Sequence, residues 1–128
     1  MDNGKLKMDN ETGMTQKTVQ KKSFHFAVRI VNLCRLLRDG QNEYILSKQL
    51  MRSGTSIGAN VAEAQQAQSR PDFANKMNIA LKEAYETNYW LRLLHETNYL
   101  STKEYESIIA DCLELERLLV AIVKTAKE

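Results

Sequence analysis

The chain has 128 residues, with 18 Lys and Arg against 16 Asp and Glu and a hydrophobic fraction of 43%, which is one domain with aliphatic content for one core. No apolar run approaches the ~20 residues that cross a bilayer, and the N-terminal stretch has no signal-peptide-like apolar segment, so the reading is a cytoplasmic protein without membrane contact. The sequence pI near 8.5 lies below that of a committed polyanion binder.

Residues 1–22 are polar, hold five lysines against three acids and show no helical periodicity, which predicts a disordered basic tail ahead of a folded domain over 23–128. The first helix is expected from about Ser23 to Arg38, ended by Asp39 and Gly40, where glycine is free to turn left-handed. On a helical wheel Phe24, Phe26, Ala27, Val28, Ile30, Val31, Leu33, Cys34 and Leu37 cover more than half of the circumference. That is more apolar surface than one bundle interior takes up, and it predicts self-association.

Asn42 is a suitable N-cap for a second helix reaching about Gln68, with Leu46, Leu50, Ile57, Val61 and Ala64 as its apolar stripe. Within it, the run Arg52-Ser53-Gly54-Thr55-Ser56-Ile57-Gly58-Ala59-Asn60-Val61-Ala62-Glu63 places two glycines one turn apart. Each glycine costs about 1 kcal/mol relative to alanine in a helix interior, so their use implies close approach by a neighbouring backbone. Arg52, Ser56, Ala59 and Glu63 form a polar, small-residue strip bordered by Asn60. Arg52 and Glu63 are too far apart for a mutual pair, ~16 Å along one helix. Both are expected to be partly buried, each bonded to another helix or subunit.

Ser69-Arg70-Pro71-Asp72 starts a third helix ending near Asn98, proline being tolerated in a first turn. Its main stripe is Phe73, Met77, Ala80, Leu81, Ala84, Leu91 and Leu94; Ile79, Trp90 and Leu93 lie on a second face and are interface candidates. Ser101-Thr102-Lys103-Glu104 is a capping box opening a fourth helix, with Tyr105, Ile108, Ile109, Cys112, Leu115, Leu119, Ile122 and Val123 in heptad-like order. Short connections between four amphipathic helices predict an all-α, up-down-up-down antiparallel four-helix bundle.

Chemistry is sparse. A di-metal bundle site needs Glu-x-x-His on facing helices, but Lys22 stands three residues before His25 and Arg92 three before His95. His95 and Asn88 read as a hydrogen-bonded polar pair, and Cys34 and Cys112 as buried, reduced core residues. Gly54-Thr55-Ser56-Ile57-Gly58 matches a nucleophile elbow by letter, but it lies inside a helix and lacks the strand-turn-helix setting that exposes such a serine. No catalytic, cofactor or metal residue is assigned, and the chain reads as a non-enzyme. Lys17, Lys21 and Lys22 ahead of Phe24, with Arg29, Arg35 and Lys48, are candidate nucleic-acid contacts. The competing account is an ordinary solvated face.

The run from Arg52 to Glu63, followed by Phe73 and by Ala80-Leu81-Lys82-Glu83-Ala84-Tyr85-Glu86-Thr87, resembles the four-helix-bundle proteins encoded in intervening sequences of bacterial 23S ribosomal RNA genes, over residues 22–126. Ala64 departs from the glycine common there after the glutamate. The resemblance implies a homopentamer without catalysis. It also implies kinship of fold with the accessory variability proteins of diversity-generating retroelements, which bind nucleic acid and a reverse transcriptase. Expected partners are therefore further copies of the chain, RNA or DNA bound weakly, and a nucleic-acid enzyme; a protein-interaction module without nucleic-acid binding is the alternative.

Overall fold

Four helices make up the computed structural model, which describes the backbone of residues 3–128 and side chains from Gly13 onward: α1 Asn3–Gln41, α2 Leu46–Ala64, α3 Arg70–Glu96 and α4 Thr102–Lys127. Among the described residues there is no strand. Each helix packs on its neighbours in chain order and α1 closes the square on α4, while the backbones of the diagonal pairs stay apart. Cross-contacts run in opposite senses along every seam. Cys34 meets Ser47 where Gly58 meets Ser23, and Ser53 meets Thr87 where Glu63 meets Lys76. The all-α bundle expected from periodicity is the observed one.

The interior is filled by Phe26, Ile30 and Leu37 of α1, Leu50 and Ile57 of α2, Met77, Leu91 and Leu94 of α3, and Leu115 and Leu119 of α4, all essentially solvent-free. Each such side chain stabilises the fold by roughly 1.5–3 kcal/mol on burial. Two hydroxyls join this core: Thr87 donates to the Glu83 carbonyl at 2.7 Å and shares a 3.0 Å hydrogen bond with Ser53, both residues fully buried. No buried side-chain polar atom among the described residues lacks a partner.

The predicted tail is the main departure. α1 does not begin at Ser23 but at Asn3, and Val19 is fully buried. Once a helix is nucleated on a core, each added residue gains a hydrogen bond cheaply, and between Gly13 and Ser23 no proline intervenes. One buried valine in a polar run leaves no periodic signal. Met1 and Asp2 lie outside the described residues, as do the side chains of residues 3–12.

The α1–α2 corner also differs from expectation. Gly40 stays helical, and the left-handed residue is Asn42 (φ 54°), whose N–H donates to the Arg38 carbonyl at 3.1 Å. Asn42 therefore ends α1 rather than capping α2. Its neighbour supplies the cap: the buried Glu43 carboxylate accepts from the N–H groups of Ile45, Leu46 and Ser47 at 3.3, 3.1 and 2.7 Å. Burial opposes the charge on Glu43, but these backbone donors outweigh it and hold its carboxyl below the usual range.

α3 starts as expected, Ser69 accepting from Asp72 N–H at 3.1 Å. It ends on left-handed Asn98, with a Tyr99 N–H to Leu94 carbonyl bond of 2.9 Å. The Ser101–Glu104 capping box has both reciprocal bonds, at 3.1 and 2.9 Å, and holds Glu104 below its ordinary pKa. Arg70 donates to the last carbonyls of α4, Thr125 and Ala126, placing a cation at that helix C-terminus.

Candidate assembly and nucleic-acid interface

The motif glycines of α2 face α1. A Cβ on Gly54 would lie 2.8 Å from the Ile30 side chain, and one on Gly58 would lie 3.2 Å from the Ser23 backbone carbonyl oxygen. The glycines thus seat α1 against α2 within one chain, which is the close approach their spacing predicted.

In the single chain Arg52 and Glu63 of the polar strip are exposed rather than partly buried, and Glu63 bonds to another helix as expected. Glu63 meets Lys76 of α3 at 3.2 Å across the α2–α3 seam. Ser56 Oγ donates to the Arg52 carbonyl at 2.6 Å and Asn60 Nδ2 to the Ser56 carbonyl at 2.8 Å, so both polar groups are satisfied on their own helix. Arg52 lies near enough to Glu83 to favour its charged form, yet burial and the neighbouring Glu86 prevail and raise the Glu83 carboxyl.

Ile79, Trp90 and Leu93 are half-buried, and the Trp90 indole N–H donates to Glu86 at 3.2 Å. Glu83 and Glu86 lie on the same stretch of α3, with Arg52 of α2 beside Glu83 and Lys82 exposed next to it. His95 and Asn88 do not bond to each other: His95 stacks on Tyr105 with centroids 4.3 Å apart and meets Thr102, while Asn88 donates to Glu116 at 2.8 Å. Seven residues place them two turns apart, each within reach of a different α4 group.

From Gly13 to Arg38 the chain has six Lys and Arg and no Asp or Glu. Two of these cations, both nucleic-acid candidates, turn toward α4. Lys22 pairs with Glu114 at 2.8 Å, and Arg29 pairs with Asp111 at 2.6 Å while also reaching Ser107. Sequence reasoning missed this because the acids lie far along the chain. Lys17, Lys21, Arg35 and Lys48 are exposed, and among the described residues none has an ion-pair partner.

Large apolar side chains share the outer surface of α1: Phe24 is 72% and Val28 44% exposed. Phe24 and Ala27 form one wall of a groove of about 410 Å³ whose other wall is Thr55, Gly58, Ala59 and Ala62 of α2. The small residues of the motif make this groove as well as the helix contact. The sequence signal for it was the apolar circumference of α1.

Among the described residues no group of three His, Cys, Asp or Glu is placed to hold a metal. Cys34 and Cys112 are buried free thiols donating to the Ser47 and Ala84 carbonyls. Burial pushes the Cys34 pKa up to about 11, and burial with Glu116 raises Cys112 further, so neither offers a thiolate near neutrality. No described helix is long and apolar enough to cross a membrane.

A crystal structure of a protein of unknown function from the S23 ribosomal protein family of Bacteroides thetaiotaomicron is similar to this chain. It has 57% identity and a TM-score of 0.85, with 86% of this chain and 98% of that one covered. Comparison with the curated proteins gives no significant match. The profile of the 23S rRNA-intervening sequence proteins matches residues 15–121, the span that holds the glycine-bearing motif, the groove and the acid-free run of α1, and the chain belongs to that family.

Proposed function

We propose that this protein is a non-enzymatic, self-assembling adaptor, a homopentamer that presents cations to nucleic acid. The observation that carries the reading is the outer surface of α1, where Lys17, Lys21 and Arg35 have no ion-pair partner among the described residues, Phe24 and Val28 are exposed, and no acid occurs between Gly13 and Arg38. Apolar groups of that size on a solvent face favour burial by another chain. Cations without counter-charges favour phosphate contact, and assembly multiplies a charge that is weak in one chain. The family description ties these proteins to rRNA genes, which makes RNA the first probe.

Light scattering on the full chain is expected to give a five-chain mass, and a monomer at micromolar concentration would end the assembly half of the proposal. Fluorescence anisotropy with a short RNA is expected to show weak, sequence-tolerant binding that falls with salt. The triple change Lys17→Glu, Lys21→Glu, Arg35→Glu should weaken it by about tenfold or more. The reading as a protein-interaction module without nucleic acid is favoured by the pairing of Lys22 and Arg29 with α4. RNA binding that is absent at low salt would select it.

A further inference from the structure

The geometry points to a peptide-docking trough between α1 and α4, which takes a short linear segment of a partner protein carrying a bulky aliphatic side chain next to a carboxylate. The trough is lined by none of Lys17, Lys21 and Arg35, so the inference goes beyond the nucleic-acid and assembly reading above.

Polar bridges bound the trough at both ends. At one end the Arg29 guanidinium crosses from α1 to α4, donating to Asp111 at 2.6 Å and to the Ser107 hydroxyl at 2.9 Å. At the other, Gln41 Nε2 donates at 2.9 Å to the carbonyl of Tyr99 in the α3–α4 turn. Between these bridges no hydrogen bond among the described residues joins α1 to α4, and the helices leave a volume of about 410 Å³ open. Arg29 and Gln41 stand ~18 Å apart along α1, the span of about five residues of extended chain. That length suits a short segment rather than a long helix.

The lining states what the segment must carry. Half-buried Leu33 and buried Ile108 form the floor, and Leu36, 64% exposed, forms a rim that gains from cover by another aliphatic group. Two cations and one acid line the walls, and two of those three charges are already answered. Arg29 is paired with Asp111, and Glu104 is turned back on its own helix, accepting from the Ser101 N–H at 2.9 Å, a bond that favours its charged form. Exposed Lys103 has no ion pair and no hydrogen bond, and is the charge left for a ligand. Exposed Asn32, whose amide also lacks a partner in the chain, offers a donor and an acceptor to a peptide unit. A nucleic acid would supply an anion for Lys103 but no aliphatic group for Leu33, Leu36 and Ile108. A free small molecule would keep much of its surface in water in a trough this open. An acidic, aliphatic peptide answers every wall.

The test selects phage bearing random linear octapeptides on the immobilised full-length protein. Enriched peptides are expected to place leucine, isoleucine or methionine within two positions of an aspartate or glutamate. In fluorescence anisotropy with a fluorescein-labelled copy of the most enriched peptide, Leu36→Asp and Lys103→Glu should each weaken binding by about tenfold or more. Lys48→Glu, the same change of charge at an exposed position of α2, should alter it by less than about twofold. Both trough variants change exposed side chains, and an acid in the first turn of α4 suits that helix end, so both are expected to fold. Selection repeated on the Lys103→Glu protein should turn the preference from acidic peptides to basic ones.

No enrichment over a bare surface would overturn the inference, as would enriched peptides without acids, or equal weakening by Lys103→Glu and Lys48→Glu. A reduced light-scattering mass for folded Leu36→Asp would also overturn it, assigning the trough to a second copy of the chain. RNA binding lost in Lys103→Glu, with no peptide selected, would assign the trough to nucleic acid. Failure of the earlier reading is distinguishable from all of these: a monomeric wild type without RNA affinity would still bind the selected peptide.

Discussion

At Gly54 and Gly58 the same residue type, one turn apart, meets two different obstacles. A methyl on Gly54 would press at 2.8 Å on the side chain of fully buried, β-branched Ile30, which has little rotamer freedom to yield. Overpacking of about 1–3 kcal/mol then exceeds the ~1 kcal/mol that alanine gains in helix propensity, so Gly54→Ala should lower the urea midpoint. At Gly58 the contact is 3.2 Å to a carbonyl oxygen, a tenths-of-an-ångström misfit. Gly58→Ala is expected to leave stability within about 1 kcal/mol. Equal effects of the two substitutions would contradict this ordering.

Glu43 gives the fold an acid-sensitive corner. Its folded pKa lies below the ordinary 4.5, so the folded chain binds that proton less readily than the unfolded chain. The stabilisation is complete above the ordinary value and drains away as pH falls through the lower, folded value. Glu104 acts in the same direction, and Glu83, whose carboxyl is raised, acts against them. Glu43→Gln should cost about 1–2 kcal/mol at neutral pH and progressively less as the pH falls below the ordinary carboxylate range and the wild-type carboxylate takes up its proton. Denaturant titrations across a series of pH values from neutral into acid measure the difference.

At the scale of elements, α1 carries the largest revision. Residues 13–22 are a working part of the bundle: Val19 is buried and Lys22 is paired with Glu114. Deleting residues 1–22 should lower the melting temperature by several degrees, the equivalent of about 2 kcal/mol for one buried valine and the loss of helix continuity. An unchanged melting temperature would return that segment to the status of a tail. Periodicity made the other three helices legible, and local caps at Ser69 and Ser101 placed two starts because those bonds span three residues. The α1–α2 corner was not legible, since asparagine suits both an N-cap and a left-handed C-terminal position. Nor was the burial of Glu43. The partners of Lys22 and Arg29 were invisible for another reason: they depend on which helices become neighbours. Partly exposed as they are, these pairs contribute little stability, on the order of 1 kcal/mol or less each.

For the whole molecule, the glycines and the groove both belong to the α1–α2 side. The motif thus contributes twice, by its inward glycines to the helix contact and by its outward alanines to one wall of the groove. The hydroxyl pair in the core adds something that neither charge nor apolar area supplies. Leucine, isoleucine and methionine interiors tolerate sliding, because one aliphatic contact replaces another at similar energy. Ser53 and Thr87 do not: moving α3 along α2 by one turn, ~5.4 Å, would separate them and leave the Ser53 hydroxyl to find a new partner in a dry interior. The pair works as a detent between two otherwise smooth surfaces. It fixes the height at which α3 presents its outer face beside α2.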